Sequence, residues 1–276
     1  MNAVVWSQLR GMVIYEFKMH WRRRALLIVT LAITVMLLFT MVILGDILRE
    51  SNSVDPELAR RAISATIVFS TWAPIGVSLA LILPIMVADT IPLDTQYRVR
   101  NTLDSLPLSR PVYVAGKLLG VWAAVLAGMF AIMVASGVGW WLLGGPYDVV
   151  AYVQMWVVGV AWIAILNSGL GVLIGAGQPN RRRAILVVIF FLVLVVSVFS
   201  RSMQGDDFMG IISPMRGAIL SYYLFNSRQD IGIESVSPSL TSTPEAVILT
   251  IIAGIVELVI LGVVVLAWMR YQDNKV

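Results

Sequence analysis

The chain has no cysteine and only one histidine in 276 residues. Without thiols there is neither a disulfide framework nor a thiolate metal site, and one imidazole, His20, cannot build a metal centre alone. Charge is scarce as well: 13% of the residues are charged, against about a quarter in an ordinary soluble domain. No G-x-x-x-x-G-K-[ST] phosphate loop, H-E-x-x-H, G-x-S-x-G or C-x-x-C occurs, so the chain has no residues for hydrolysing ATP by that route and no recognisable catalytic set. No bound cofactor and no metal are expected on it. The stretch Met1 to His20 has no apolar core followed by a small-residue cleavage site, which predicts that it is not a removable signal peptide and that insertion uses the first span.

What the chain has in quantity is hydrophobic length. Hydrophobic residues make up 59% of it and the mean hydropathy is +0.87. A bilayer core about 30 Å thick takes roughly 20 apolar helical residues. Uncharged runs extend from Ala25 to Gly45, Ala62 to Ala88, Leu118 to Tyr147, Val149 to Asn180 and Ala184 to Ser200, and another from Ala246 to Met269 is broken only by Glu257. They predict an all-α membrane protein, a single domain over 1–276, with six transmembrane helices at about 25–45, 62–88, 118–143, 150–176, 184–201 and 246–269. Barrel strands would alternate over about ten residues, and these runs are longer and unbroken.

Lysine and arginine set the orientation. With six spans, one side carries Arg10, Lys18, Arg22, Arg23, Arg24, Arg98, Arg100, Arg110, Lys117, Arg181, Arg182, Arg183, Arg270 and Lys275, and the other only Arg49, Arg60, Arg61, Arg201, Arg216 and Arg228. Both termini are therefore expected in the cytoplasm. The formal net charge of +4 follows from that asymmetry and does not mark a nucleic-acid partner.

Several local features add detail. Leu9, Val13, Phe17 and Trp21 recur every four residues, with Trp6 nearby, among Gln8, Arg10, Lys18 and Arg22 to Arg24. This suits an N-terminal interfacial helix over 3–23 in the headgroup layer, either a bilayer anchor or a partner contact. His20, beside Trp21 and three arginines, reads as an interfacial residue. Gly116 and Gly120, Ala124 and Gly128, and Gly171 and Gly175 have the spacing that lets membrane helices pack closely. Pro74 and Pro84 predict kinks, and Trp140 with Trp141 and Trp268 with Tyr271 read as belt residues. Asp89 is expected where the second helix leaves the bilayer; with Asp94 it makes only a weak acid/base pair. Glu257, inside the last span, is open to four readings: a substrate contact, a proton site, an ion pair or a packing residue. Between Arg201 and Glu245 an apolar middle, 208–227, with Pro214, Arg216 and Tyr222, either dips into the outer leaflet as short re-entrant helices or lies as an amphipathic loop.

The polar island Asp89 to Lys117 interrupts all this. Gln96 to Leu106 suits a short cytoplasmic helix presenting Tyr97, Arg98, Arg100 and Asn101, ended by Pro107. Here the chain resembles the permease subunits of ABC-2 type transporters, which combine six spans, an N-terminal interfacial helix and an L-x-S-x-P-x-S-R...G-K stretch after the second span. The matching residues are Leu103, Ser105, Pro107, Ser109, Arg110, Gly116 and Lys117. The resemblance implies a coupling segment over 94–110 that docks on a separate ABC ATPase subunit through Tyr97, Arg98, Arg100, Asn101, Leu103 and Leu106. It implies a second contact at Arg181 and Arg182, and an exit-side segment around Pro214, Arg216 and Tyr222. It further implies ATP and Mg on the ATPase subunits, a second permease copy or a diverged sibling, and residence in a prokaryotic cell (inner) membrane as an exporter. A membrane scaffold that recruits a soluble partner through the same island is the competing expectation.

Overall fold

The structure, a computed structural model, describes residues 3–51, 75, 79–97, 109–199 and 244–273. Arg98, Arg100, Asn101, Leu103, Leu106, Pro74, Pro214, Arg216 and Tyr222 lie outside the described residues, as does the expected re-entrant segment 208–227. Among the described residues every regular element is helical. We number them α1 (Ala3–Arg22), α2 (Arg24–Ser51), α3 (79–87), α4 (Thr90–Gln96), α5 (Arg110–Gly144), α6 (Val149–Gln154), α7 (Trp162–Ala176), α8 (Arg181–Phe199) and α9 (Pro244–Asp273).

Among the described residues five segments are long and apolar enough to cross a membrane: Arg24–Ile43, Leu79–Gln96, Arg110–Leu143, Tyr152–Ala176 and Ile251–Tyr271. The expected span 184–201 falls in α8, which is not among these five. α8 opens on three arginines and is described as far as Phe199.

α5 is the spine. Ser109 in extended conformation precedes it, Pro111 sits in its first turn, and Gly145 at φ 96° ends it. Proline is tolerated there because the first helical N–H groups have no intrahelical acceptor; the positive φ after the last turn suits glycine. α1 and α2 run alongside α5 in the same direction. A Cβ on Gly116 would meet Met12, one on Gly120 would meet Glu16 and the Val13 carbonyl, one on Gly128 would meet Thr30 and one on Gly139 would meet Met41. The missing side chains are what let the pair approach. Only a bend at Arg23 separates α1 from α2, and the Arg23 N–H still donates to the Met19 carbonyl at 3.0 Å. The N-terminal helix is thus packed on the bundle rather than merely laid beside it.

α3 and α4 are joined by a turn at Ala88–Asp89, after which helical structure resumes as far as Gln96. α7 crosses it at very close range. A Cβ on Gly171 would lie 2.4 Å from the Pro84 carbonyl oxygen, and one on Gly175 would lie 2.0 Å from that of Ala88. Both glycine pairs singled out by spacing therefore serve as contact faces. α6 passes into α7 through a π-helical stretch, Met155–Ala161. α9 runs opposite to α5: Leu258 reaches the level of Gly169 and Trp122, and the Met269 carbonyl accepts from Arg110 Nη1 at 2.6 Å. The start of α1 and the end of α9 consequently share one end of the bundle.

At the other end Tyr147 donates to the Gly137 carbonyl at 3.0 Å, and the Tyr152 hydroxyl meets Ser136 Oγ at 2.5 Å. Trp140, expected in an interfacial belt, is buried, whereas Trp141, Trp268 and Tyr271 are exposed. A helix of this pitch turns adjacent residues about 100° apart, and here that turn carries Trp140 into the core while Trp141 faces out.

Candidate functional site

The chemistry-bearing residues gather where α1, α4, α5 and the start of α8 meet. Helical spacing puts Tyr113 and Lys117 one turn apart on α5. Because Gly116 and Gly120 carry no Cβ, α1 comes close enough to set Glu16 against Lys117. Both side chains are fully buried. The Lys117 ammonium contacts Glu16 Oε1 on one side and lies 2.7 Å from Asp94 Oδ2 on the other. Tyr113 Oη donates to the same Asp94 oxygen at 2.7 Å, and the ammonium stands 5.7 Å from the centre of the Tyr113 ring. One cation therefore ties three helices together.

A second node adjoins the first. Asp89, in the turn between α3 and α4, accepts a hydrogen bond from Arg23 Nη1 through Oδ1 and forms an ion pair with Arg181 Nε through Oδ2, both at 3.1 Å. It links the α1–α2 bend, the second apolar segment and the first residue of α8. Asn180 precedes α8 and caps it: its Oδ1 accepts the Arg183 backbone N–H at 3.0 Å, as an N-cap side chain does.

Between the nodes lies His20. Its Nε2 is 3.4 Å from Thr90 Oγ1 and 3.9 Å from Glu16 Oε2. The Thr90 hydroxyl hydrogen goes to the Val87 carbonyl at 2.7 Å, which leaves its oxygen to accept from the Nε2–H tautomer of His20. Burial pushes the imidazole pKa down to about 3, with the charges of Arg23 and Lys117 acting in the same direction, so His20 is neutral at pH 7. Burial raises the Glu16 carboxyl pKa from its usual range, and Lys117 opposes that rise. Across the two nodes three carboxylates (Glu16, Asp89, Asp94) face three cations (Arg23, Lys117, Arg181). Charges taken out of water are tolerated when each finds an opposite charge and good geometry, and become expensive when one member is lost.

The residues expected to couple to an ATPase fare differently. Arg181 enters the second node while staying largely exposed, Arg182 is exposed, and Tyr97 is 70% exposed at the end of α4. Glu257 is half-buried on α9, on the same helix face as Gly254 and Leu261, and is engaged by its surroundings. Of the motif residues, Ser109 precedes α5, Arg110 binds the end of α9, Gly116 receives α1 and Lys117 makes the first node. His20, expected at an interface, is buried.

Glu16 was not legible as a site residue. The available signal was its place as the only acid in α1, one turn before the only histidine. The partnership of Asp94 with Lys117 spans 23 positions and has no local pattern. Among the described residues no group of three histidine or acidic side chains is arranged to hold a metal ion. The ion pairs of the junction connect α1, α4, α5 and the start of α8. Compared with protein-family models and with curated proteins, the chain finds no match.

Proposed function

We propose that the chain is the membrane-spanning permease subunit of an ATP-driven transporter of the ABC-2 type, an exporter, paired with a second permease copy or sibling and driven by separate ATPase subunits. In this reading ATP and Mg are held by the ATPase, and the chain supplies helices that move. The observation that carries it is the buried junction: Arg181, at one expected docking segment, and Asp94, at the mouth of the other, are each bound into ion pairs with the helices they would have to move. A push on the island is then felt by α4 and α5 directly and by α1–α2 through Lys117, Glu16 and Arg23. Such a device works by favouring one of two arrangements of the bundle, which agrees with the lack of a phosphate loop in the chain.

The test is reconstitution of the chain with its co-purifying ATPase in vesicles. Replacing Arg98, Arg100 and Leu103 together should abolish most of the permease-dependent stimulation of ATP turnover while the thermal midpoint of the permease stays unchanged. Full stimulation in the triple variant overturns the coupling assignment. Failure of any ATPase to co-purify favours the scaffold instead.

A further inference from the structure

Lys117 is one cation set between two carboxylates. An ammonium has three N–H donors, and three acceptors surround this one: Glu16 Oε1, Asp94 Oδ2 at 2.7 Å and the Thr90 carbonyl at 3.5 Å. The two acids are not served alike. Asp94 Oδ2 takes the Tyr113 hydroxyl as well as the ammonium, whereas Glu16 Oε2, on a fully buried side chain, has no hydrogen-bond partner. His20 Nε2 stands 3.9 Å from that oxygen, and its N–H is directed to Thr90 instead. Glu16, Asp94 and Lys117 therefore place two negative charges against one positive charge in the interior. The other cations nearby are engaged elsewhere: Arg23 and Arg181 are both bound to Asp89, and Arg22 and Arg24 are exposed. His20 adds no charge, since burial and the neighbouring cations hold its pKa down to about 3. A buried charge left without compensation is costly, and one proton removes it.

We infer that the Glu16 carboxyl is a proton-binding site within this buried junction. A proton from the aqueous side adds to Oε2, the trio of Glu16, Asp94 and Lys117 becomes neutral, and the ammonium keeps Asp94 as its one counter-charge. Glu16 then offers an O–H donor where it carried a charge, so the link from α1 to α5 loses its ion pair and retains only a hydrogen bond. Asp94 is the poorer acceptor of the proton, because two donors on one of its oxygens favour the ionised form. The electrostatics of Glu16 point the same way: burial raises its pKa, with the Asp94 charge adding to the rise and Lys117 and Arg23 opposing it. Proton binding of this kind does not depend on the chain being a permease.

Two spectroscopic signals read the proton directly. The full chain, purified through a tag without histidine into a maltoside detergent, which has no carbonyl group, is acidified stepwise while its infrared spectrum is followed. The carbonyl band of a protonated carboxylic acid is expected to grow at a pH above that at which exposed carboxylates titrate. It should be absent in Glu16→Gln, which leaves Lys117 and Asp94 as a balanced pair, and should survive in Glu257→Gln. Asp94→Asn should move the midpoint of the band toward acid, because the like charge that favours the proton is gone. His20, the only histidine in the chain, gives an independent reading. With its imidazole nitrogens isotope-labelled, its magnetic resonance signals should keep the neutral pattern throughout and shift with the same midpoint as the band, which assigns the step in the unaltered protein even where Glu16→Gln does not fold. A band missing over the whole range in which the chain stays folded, one that persists in Glu16→Gln, one lost in Glu257→Gln, or a midpoint unmoved by Asp94→Asn would each overturn the proposal, as would an imidazolium pattern for His20 at that midpoint.

Discussion

Lys117 illustrates what a single charge does when water is removed from around it. Its ammonium is held by Glu16 and Asp94 and roofed by Tyr113, so its removal strands two carboxylates in the interior. Breaking a buried pair in this way typically costs about 3–5 kcal/mol, whereas replacing the whole pair with apolar groups is often neutral. Lys117→Met is accordingly expected to lower the thermal midpoint strongly, and adding Glu16→Gln should restore part of the loss. A double-mutant cycle in the solubilised protein checks this, and strict additivity would mean that the two side chains do not interact. The lysine itself was visible in the sequence as the last charge before a long apolar run. Its partners were not, because Glu16 lies about a hundred positions away and is brought in by a helix crossing.

At the scale of elements, the crossing of α7 over the Ala88–Asp89 turn rests on glycine. With a Cβ at Gly175 only 2.0 Å from the Ala88 carbonyl oxygen, the two backbones cannot keep their spacing once any side chain is present. Overpacking generally costs about 1–3 kcal/mol, and here the obstructing atom is backbone, which yields less readily than a side-chain tip. Gly175→Ala should therefore destabilise the protein by at least that amount and loosen the Asp89–Arg181 contact. Gly262→Ala, where a Cβ has nothing within 4 Å, should be close to neutral in the same melting assay. The spacing of Gly171 and Gly175 marked them as a contact face in advance. That the contact would be another helix's carbonyls at a turn depended on α3 and α4 being two segments.

For the molecule as a whole, the order of contacts along α5 places the start of α1 and the end of α9 at one end and Gly145 at the other. α5 has 35 residues, a rise of about 52 Å, so its ends stand farther apart than the bilayer core is thick. In a cysteine-free chain, Gly11→Cys and Asp273→Cys should react with a membrane-impermeant maleimide from the same side, and Pro146→Cys from the opposite side. Labelling of Gly11→Cys and Pro146→Cys from one face would contradict this arrangement, as would exterior labelling of an Arg110→Cys variant for the cytoplasmic orientation.

The sequence by itself determined the class of the protein, the placement of most apolar helices and the small-residue faces, because hydrophobic length and residue size are local properties that no distant partner can alter. It also located the polar island between two long apolar runs. Only the tertiary structure decided that α1 turns its acid and its histidine inward, that a turn at Ala88–Asp89 is followed by a further helix, and that Glu16, Asp94 and Lys117 share one buried site. Those facts depend on which helices touch and at what height, and a charge written in a sequence carries no mark of the partner that packing will bring to it.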